Sequence, residues 1–447
     1  MNDARVVELA SKLFSDAQIL NNGDSSSPHS ASTTTRERIL DAAFEIFHLL
    51  LDPAELLRMH ASQAHLISLH FIQRFNIAAT VPPDSGISYA AIATSCGQLE
   101  QTVKRILRHA IGLQIFREER SPVSSADDQV LVYHTPASLL LREPSFHAWM
   151  GATCEESWPA ATRAVDALAA FPEASEPAAS GWALAHASPP FPTGASISDP
   201  SSPDRASLAA PGQSLYDVIA SSPARAARFS QGMSAYSSGP GYSPDHFIKA
   251  RREFLAGLPK GSRFTDVGGG LGHFGLAVSE EHPQIEFVVQ DLPKVVGKAQ
   301  ELCKASDLPR NGEDGGRRGR VVFQAHDFFQ PQPVTGAAVY FLRWILHNWS
   351  DKYAVIILRN IGQAMTENSR LIIHDYCVDD LATLSMRKRR AATNMDIGMM
   401  QLLNAQERDE SQWRELLAKA DRRFEWIGVT KPPGSALAII EASWKER

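Results

Sequence analysis

Residues Arg263–Gly272 read RFTDVGGGLG, and this stretch decides the fold. A short strand-like run carries Asp266 near its end, and Gly268, Gly269, Gly270 and Gly272 crowd the turn that follows. Glycines at this density let the backbone turn sharply and approach a ligand, while the next helix aims its N-terminal N–H groups at the same place. A nucleotide-like cofactor fits such a turn. The dinucleotide fingerprint needs G-x-G-x-x-G, but His273 stands where its third glycine belongs, so the spacing is D-x-G-x-G-x-G. That favours a cofactor other than NAD.

Downstream of Gly261 strand-like and helical patterns alternate, the signature of a mostly parallel sheet covered on both faces. Strands are expected at 263–267, 285–290, 320–324, 337–342 and 370–374, then at 424–429 and 436–442. The last two are joined by KPPGS, short enough for a hairpin. A parallel sheet closed by an antiparallel hairpin is the layout of Rossmann-like methyltransferases.

Upstream the chain reads differently. A first helix is followed by NNGDSSSPHSASTTT (Asn21–Thr35), whose composition predicts a flexible tether. Helical spacing resumes in RERILDAAFEIFHLLL and runs through AELLRMHASQAHLISLHFIQRFNIA, read as one long helix whose apolar stripe suits a partner surface, such as a second subunit. ISYAAIATSCG and LEQTVKRILRHAIGLQIF then predict two helices closed by Gly97 and Gly112. A strand, the loop SPVSSADDQ and the returning strand VLVYHT complete a winged-helix pattern. That pattern serves DNA recognition, with Lys104, Arg105, Arg108 and His109 as phosphate contacts, or it serves oligomerisation. A helix is expected over 144–170, a Pro/Ser/Ala-rich flexible insertion over 186–213, and a charged surface loop at RNGEDGGRRGR.

At 447 residues and 44% hydrophobic content the chain can hold more than one core, and its net charge of −6 offers no general attraction to nucleic acid or anionic membrane. The four cysteines, Cys96, Cys154, Cys303 and Cys377, form no C-x-x-C pair, which points to a reducing compartment. With neither a leader-like nor a spanning stretch, the expectation is a soluble, cytoplasmic protein.

Asp291 closes the second strand in VVQDLP, roughly twenty residues beyond the glycine loop, where a carboxylate can accept hydrogen bonds from both ribose hydroxyls. It also reads as a turn-forming Asp ahead of Leu-Pro. Asp327 and Phe328 in AHDFF follow the third strand, placed for the amine and the face of an adenine. His347, in YFLRWILHNWSD, lies off the fourth strand, where a neutral imidazole can accept a hydroxyl proton; a core or capping histidine between Trp344 and Trp349 is the other reading. Asp375 in LIIHDY and Glu407 in NAQERDESQW are carboxylates that could orient it. No carboxylate cluster has metal-ligand spacing.

Taken together, FTDVGGGLG, VVQDLP, HDFF, RWILHNWSD and NAQERDESQW behind a winged-helix half resemble the plant and fungal S-adenosylmethionine-dependent O-methyltransferases of the caffeate and polyketide type. The resemblance spans His65 to the C-terminus apart from the two insertions, 186–213 and RNGEDGGRRGR. It implies an α/β class I methyltransferase domain over 214–447, a winged-helix domain over 36–143 used for homodimerisation, a connector over 144–213, and residues 1–35 as helix and tether. It also implies a small aromatic or polyketide acceptor and no nucleic-acid or membrane partner. Carried onto this sequence, Asp266, Gly268, Gly270 and Gly272 contact the cofactor, Asp291 the ribose, and Asp327 and Phe328 the adenine side, with Arg343 at a family lysine position near the adenine. His347 becomes the general base and Glu407 one of its two orienting glutamates. Asp375 takes the place of the other, one methylene shorter. Met233 matches an acceptor-pocket position, and Asn404 lies in the segment lining that pocket. Fungal relatives that act as S-adenosylmethionine-dependent pericyclases leave rearrangement of a polyketide-derived substrate as an alternative, and a winged-helix DNA-binding regulator is a second.

Overall fold

A computed structural model describes residues 2–22, 29–120, 130–187, 213–305 and 320–445. The described chain forms two compact units, Met1–Pro172 with Ser180–Ser238, and Glu173–Ala179 with Gly239–Arg447.

The first unit begins with helices Asn2–Asn22 and His29–Leu50. Residues 29–35, expected in the tether, are therefore helical. Arg38 reaches Asp16 at 2.6 Å and Arg5 reaches Glu45 at 2.8 Å, so contact between the two helices outweighs the weak propensity of the Ser/Thr run. Asn21 and Asn22 end the first helix, and the remaining tether positions, 23–28, lie outside the described residues, as do the loop SPVSSADDQ and positions 188–212 of the insertion. The long helix expected over 54–78 is three, Pro53–His60, Ala64–Arg74 and Ile77–Thr80. Asn76, left-handed at φ 50°, makes the second break, a conformation asparagine tolerates and apolar spacing does not register.

Beyond it, Ile87–Ser88 forms a strand (β1) where a helix start was expected, and Ser88 caps helix Tyr89–Cys96. Helix Glu100–Gly112 leads to β2 (Phe116–Arg120) and β3 (Val130–His134), and the sheet order is β1-β3-β2, all antiparallel. Ile72, Ile92, Val103, Leu107, Phe116 and Val132 are fully buried in this unit's core.

The helix expected over 144–170 contains a π turn at Thr153–Ser157 between Pro144–Ala152 and Trp158–Ala170. Pro159 has no N–H to give and crowds the carbonyl four residues back, which the wider turn relieves. Glu156 in that turn is buried and binds Arg225, Arg228 and Trp182, the last two at 2.8 and 3.1 Å. These contacts place the helix Pro223–Ser237 in the first unit, although the sequence grouped it with the chain beyond 214.

The second unit holds a seven-stranded sheet: β4 (Arg263–Val267), β5 (Glu286–Asp291), β6 (Arg320–Ala325), β7 (Val339–Arg343), β8 (Arg370–Asp375), β9 (Phe424–Thr430) and β10 (Ala438–Trp444). The order is β6-β5-β4-β7-β8-β10-β9, parallel except for β10, which runs antiparallel to both β8 and β9. Every expected strand is present within two residues of its bounds. Along β7, Tyr340 and Leu342 enter a core with Ile357, Leu358, Trp413 and Leu416, while Val339 and Phe341 enter another with Phe247, Phe264 and Phe274. Both faces are buried, as a parallel sheet with flanking helices requires. Strand order reverses between β4 and β7, which opens a crevice at their carboxyl ends. Among the described residues no helix is long and apolar enough to cross a membrane.

Candidate active site

Asp266, Asp291, Arg343 and Asp375 stand at or near the carboxyl ends of parallel strands and Asp327 and His347 follow them, while Glu407 comes from the loop between the helices Met386–Leu403 and Glu410–Ala420. After β4 the chain turns through Gly268 at φ 77° and Gly270 at φ 60°. A side chain on Gly268 would come within 2.5 Å of Ile345 Cδ1, whereas one on Gly270 would meet nothing within 4 Å. Gly272 begins the helix His273–Glu281 and brings no side chain to cap its first N–H groups.

Asp266 is buried beneath this loop, and its Oδ2 has no hydrogen-bond partner among the described residues. Burial pushes its carboxyl up to about 7, with Arg343 drawing it back and Asp291 adding to the rise. Asp291 accepts the backbone N–H of Gly270 at 2.9 Å and of Leu292 at 2.7 Å. Burial raises its carboxyl, and those two hydrogen bonds oppose the rise. Asp291 thus braces a turn, as one sequence reading had it, and it lies at the end of β5 with its carboxylate on the glycine loop. Asp327 accepts the N–H of Phe329 at 3.0 Å, and the Phe328 ring meets Phe329 and Trp349 edge-on. An open cradle at Gly270, an orphaned buried carboxylate oxygen and an uncapped helix start suit a cofactor with polar and cationic ends.

Arg343, last residue of β7, is paired with its neighbours. Its Nη1 lies 2.9 Å from His374 Nδ1, and Nη2 donates to the carbonyl of Tyr242. Burial lowers its guanidinium to about 10, with Asp266 and Asp375 opposing the fall.

His347 occupies a short 3-10 turn, Leu346–Asn348, and is buried. Its Nδ1 lies 2.9 Å from Glu407 Oε1. Asp375 approaches differently: Oδ1 stays 3.8 Å from Nδ1, and Oδ2 accepts the backbone N–H of His347 at 3.3 Å. The shortened carboxylate thus holds the turn rather than the ring. Burial works against the imidazolium, but the Asp375 charge and the Glu407 hydrogen bond outweigh it, so the imidazole pKa lies above its usual value. Burial raises both carboxyls as well. No described residue takes His347 Nε2. The three side chains offer atoms within 4.8 Å of one another, a spacing that could also hold a metal ion; the 2.9 Å Nδ1 to Oε1 contact is that of a hydrogen bond.

Asn404 caps the helix Met386–Leu403 in a left-handed conformation and donates to the carbonyls of Ala174 and Glu176 at 2.8 and 3.3 Å. Its side chain fastens a segment. Met233 belongs to the first unit and is 38% exposed. Sequence reasoning passed over Arg408, which is fully buried beside Glu407, and Tyr242, whose hydroxyl is 2.6 Å from that of Tyr376. In the sequence, Arg408 is one charge within ERDE, indistinguishable from a solvated run.

The fold and crevice define an α/β transferase of the class I methyltransferase kind. A family model described as an O-methyltransferase domain matches residues 199–422. Chlorophenol O-methyltransferase from Trichoderma longibrachiatum is 33% identical over 414 residues, 92% of this chain and 80% of the relative. The chain belongs to this O-methyltransferase family, whose cofactor is S-adenosylmethionine. Among solved structures it is similar to OxaC in complex with SAH and oxaline, with TM-score 0.75 and 20% identity over all of both chains. It is similar too to a pericyclic reaction enzyme, with TM-score 0.70 and 23% identity over 98% of this chain and 100% of the other. At those identities the likeness is one of fold.

Proposed function

We propose that the protein transfers the methyl group of S-adenosylmethionine to a phenolic or enolic hydroxyl of a small aromatic or polyketide compound, with His347 as general base. The observation that supports this most is the hydrogen bond from His347 Nδ1 to Glu407, which leaves Nε2 free at the carboxyl end of β7. A phenol with pKa about 10 is mostly protonated near neutrality, so a positioned base must take its proton as the oxygen attacks. Glu407 fixes the ring's orientation and, with Asp375, stabilises the imidazolium that forms.

The cofactor, when bound, supplies an electrophilic sulfonium methyl with a good leaving group. Asp291 would accept the ribose hydroxyls, the 268–272 loop would receive the amino-acid end beside Asp266, and Asp327 and Phe328 would border the adenine, with Arg343 nearby. Met233 and Asn404 are assigned to the acceptor side on the family resemblance. The same resemblance assigns homodimerisation to the winged-helix part of the first unit. The exposed apolar side chains Leu40, Phe47 and Leu57 suit a partner surface there, and Val7 and Phe14 on the preceding helix Asn2–Asn22 are exposed as well.

The test is incubation of the full chain with labelled S-adenosylmethionine and phenolic acceptors, starting with chlorophenol, for which a relative is named. Label transfer and a mass gain of one methyl support the reading, and His347→Ala should abolish transfer with cofactor affinity retained. Isomerisation of a polyketide without label would instead identify a pericyclase. Duplex DNA binding that weakens with salt would favour the regulator.

A further inference from the structure

Arg408 has no solvent exposure, yet it carries a full charge. Its donors go to the segment that holds His347: Nη1 to the carbonyl of Leu346 at 3.0 Å, and Nη2 to the carbonyl of Trp349 at 2.8 Å. Nε and Nη2 also reach Asp351 Oδ1 at 3.1 and 3.0 Å, at the start of the helix Asp351–Gly362. The guanidinium stacks over Trp413 at 5.2 Å, and the Arg408 carbonyl accepts the N–H of Val378 at 3.0 Å, three residues past β8. Glu407 thus grips the ring of His347 while the next residue caps the backbone carbonyls on both sides of it.

We propose that Arg408 is a positioning residue for His347, fixing the 346–349 turn so that Glu407 meets Nδ1 and Nε2 faces the crevice. This rests on the reading of His347 as the base. A buried arginine is costly to desolvate, and one retained here has a planar fork that no lysine can replace at three separate acceptors. Its charge also acts on the imidazole. The groups facing His347 are Asp375 from β8, Glu407 and Arg408 from the loop before Glu410–Ala420, and the ring of Tyr376 at 6.2 Å. Asp396 adds its charge to Glu407 through the Glu407 N–H, at 2.8 Å. Two carboxylates favour the imidazolium, and Arg408 opposes them, which keeps the ring available as a base.

Arg408→Lys and Arg408→Met test the assignment in the full chain with labelled S-adenosylmethionine and an acceptor that the wild type methylates. Both variants should lose roughly tenfold to a hundredfold in kcat, because a misplacement of about 1 Å can cost ~10²-fold. Cofactor Kd should stay within about twofold of wild type. Only the Met variant, which loses the cation, should shift the acid limb of the kcat profile to higher pH. Wild-type kcat in either variant overturns the proposal, as does a loss matched by an equal loss of cofactor affinity. If the Met variant fails to fold, the Lys variant decides: a lower rate with an unmoved limb supports the role, and an unchanged rate overturns it. An NMR titration of the His347 ring with SAH bound, identified by its absence from His347→Ala, separates this idea from the general-base reading. Activity surviving His347→Ala would sink the base. Arg408→Lys should leave the titration midpoint in place while moving the chemical shift of the ring at the pH extremes, and a shift identical to wild type there would sink the positioning role.

Discussion

Asp375 Oδ2 accepts the backbone N–H of His347 at 3.3 Å, while its other oxygen stays 3.8 Å from the ring. The two carboxylates beside the histidine therefore do different work, and substitutions should tell them apart.

Glu407→Ala removes the acceptor on Nδ1, so the ring loses its tautomer and its orientation. Turnover should fall by about 10² or more, within the ~10²–10⁴ range for positioned acid–base groups. Cofactor affinity by calorimetry should be unchanged, because the hydrogen bonds of Glu407 go to His347 and Asp396.

The pH profile follows from the raised imidazole. The base must be deprotonated, so kcat should fall as pH drops through a value above the usual ~6.5. Asp375→Asn keeps an acceptor for the His347 backbone but removes its charge, and should move that limb to lower pH. The same shift stabilises the fold: the contribution is fully present below about 6.5 and is lost as pH rises through the folded value. Thermal melts across pH should show that loss in the wild type and less of it in Asp375→Asn.

Two glycines in one loop should respond differently. Gly268→Ala meets Ile345 and an unfavourable φ, so it should lower Tm and stability by about 1–3 kcal/mol. Gly270→Ala has open space around it in the protein alone. Its effect should appear mainly as weaker cofactor binding, with a smaller loss in Tm.

Asp291→Ala removes the proposed ribose acceptor and a brace on Gly270. Hydrogen bonds to charged groups contribute about 1.5–3 kcal/mol, so cofactor Kd should rise on the order of 10- to 100-fold. With saturating cofactor kcat should stay near wild type. A large fall in kcat at unchanged Kd would remove Asp291 from the cofactor site.

Prolonged treatment with EDTA should leave methyl transfer unchanged, since the proposed chemistry places a proton on the His347 Nδ1 to Glu407 contact. Excess Zn²⁺ should inhibit by replacing that proton among His347, Asp375 and Glu407. Loss of activity on chelation, restored by a metal, would overturn a metal-free mechanism.

Much of the second unit was legible from the chain alone. Strand positions, the hairpin and the placing of Asp291, His347 and Asp375 at strand ends follow from local pattern, because a parallel strand buried on both faces reads as an apolar run. The glycine loop was legible because the positive φ at Gly268, Gly270 and Gly272 favours that residue. The π turn at Thr153–Ser157, the helix over 29–35 and the breaks in 54–78 did not show, since each depends on what packs against the segment.

The sequence by itself pointed to Asp291, His347, Asp375 and Glu407 and to the chemistry their side chains offer, and it hid Arg408 in a charged run. Only the tertiary structure decided their division of labour: Glu407 on the ring, Asp375 on the backbone, Arg408 buried on the carbonyls around them. Those assignments turn on a difference such as 2.9 against 3.8 Å in contacts between residues far apart in the chain, and hydrogen bonding discriminates at that scale while residue type and spacing do not.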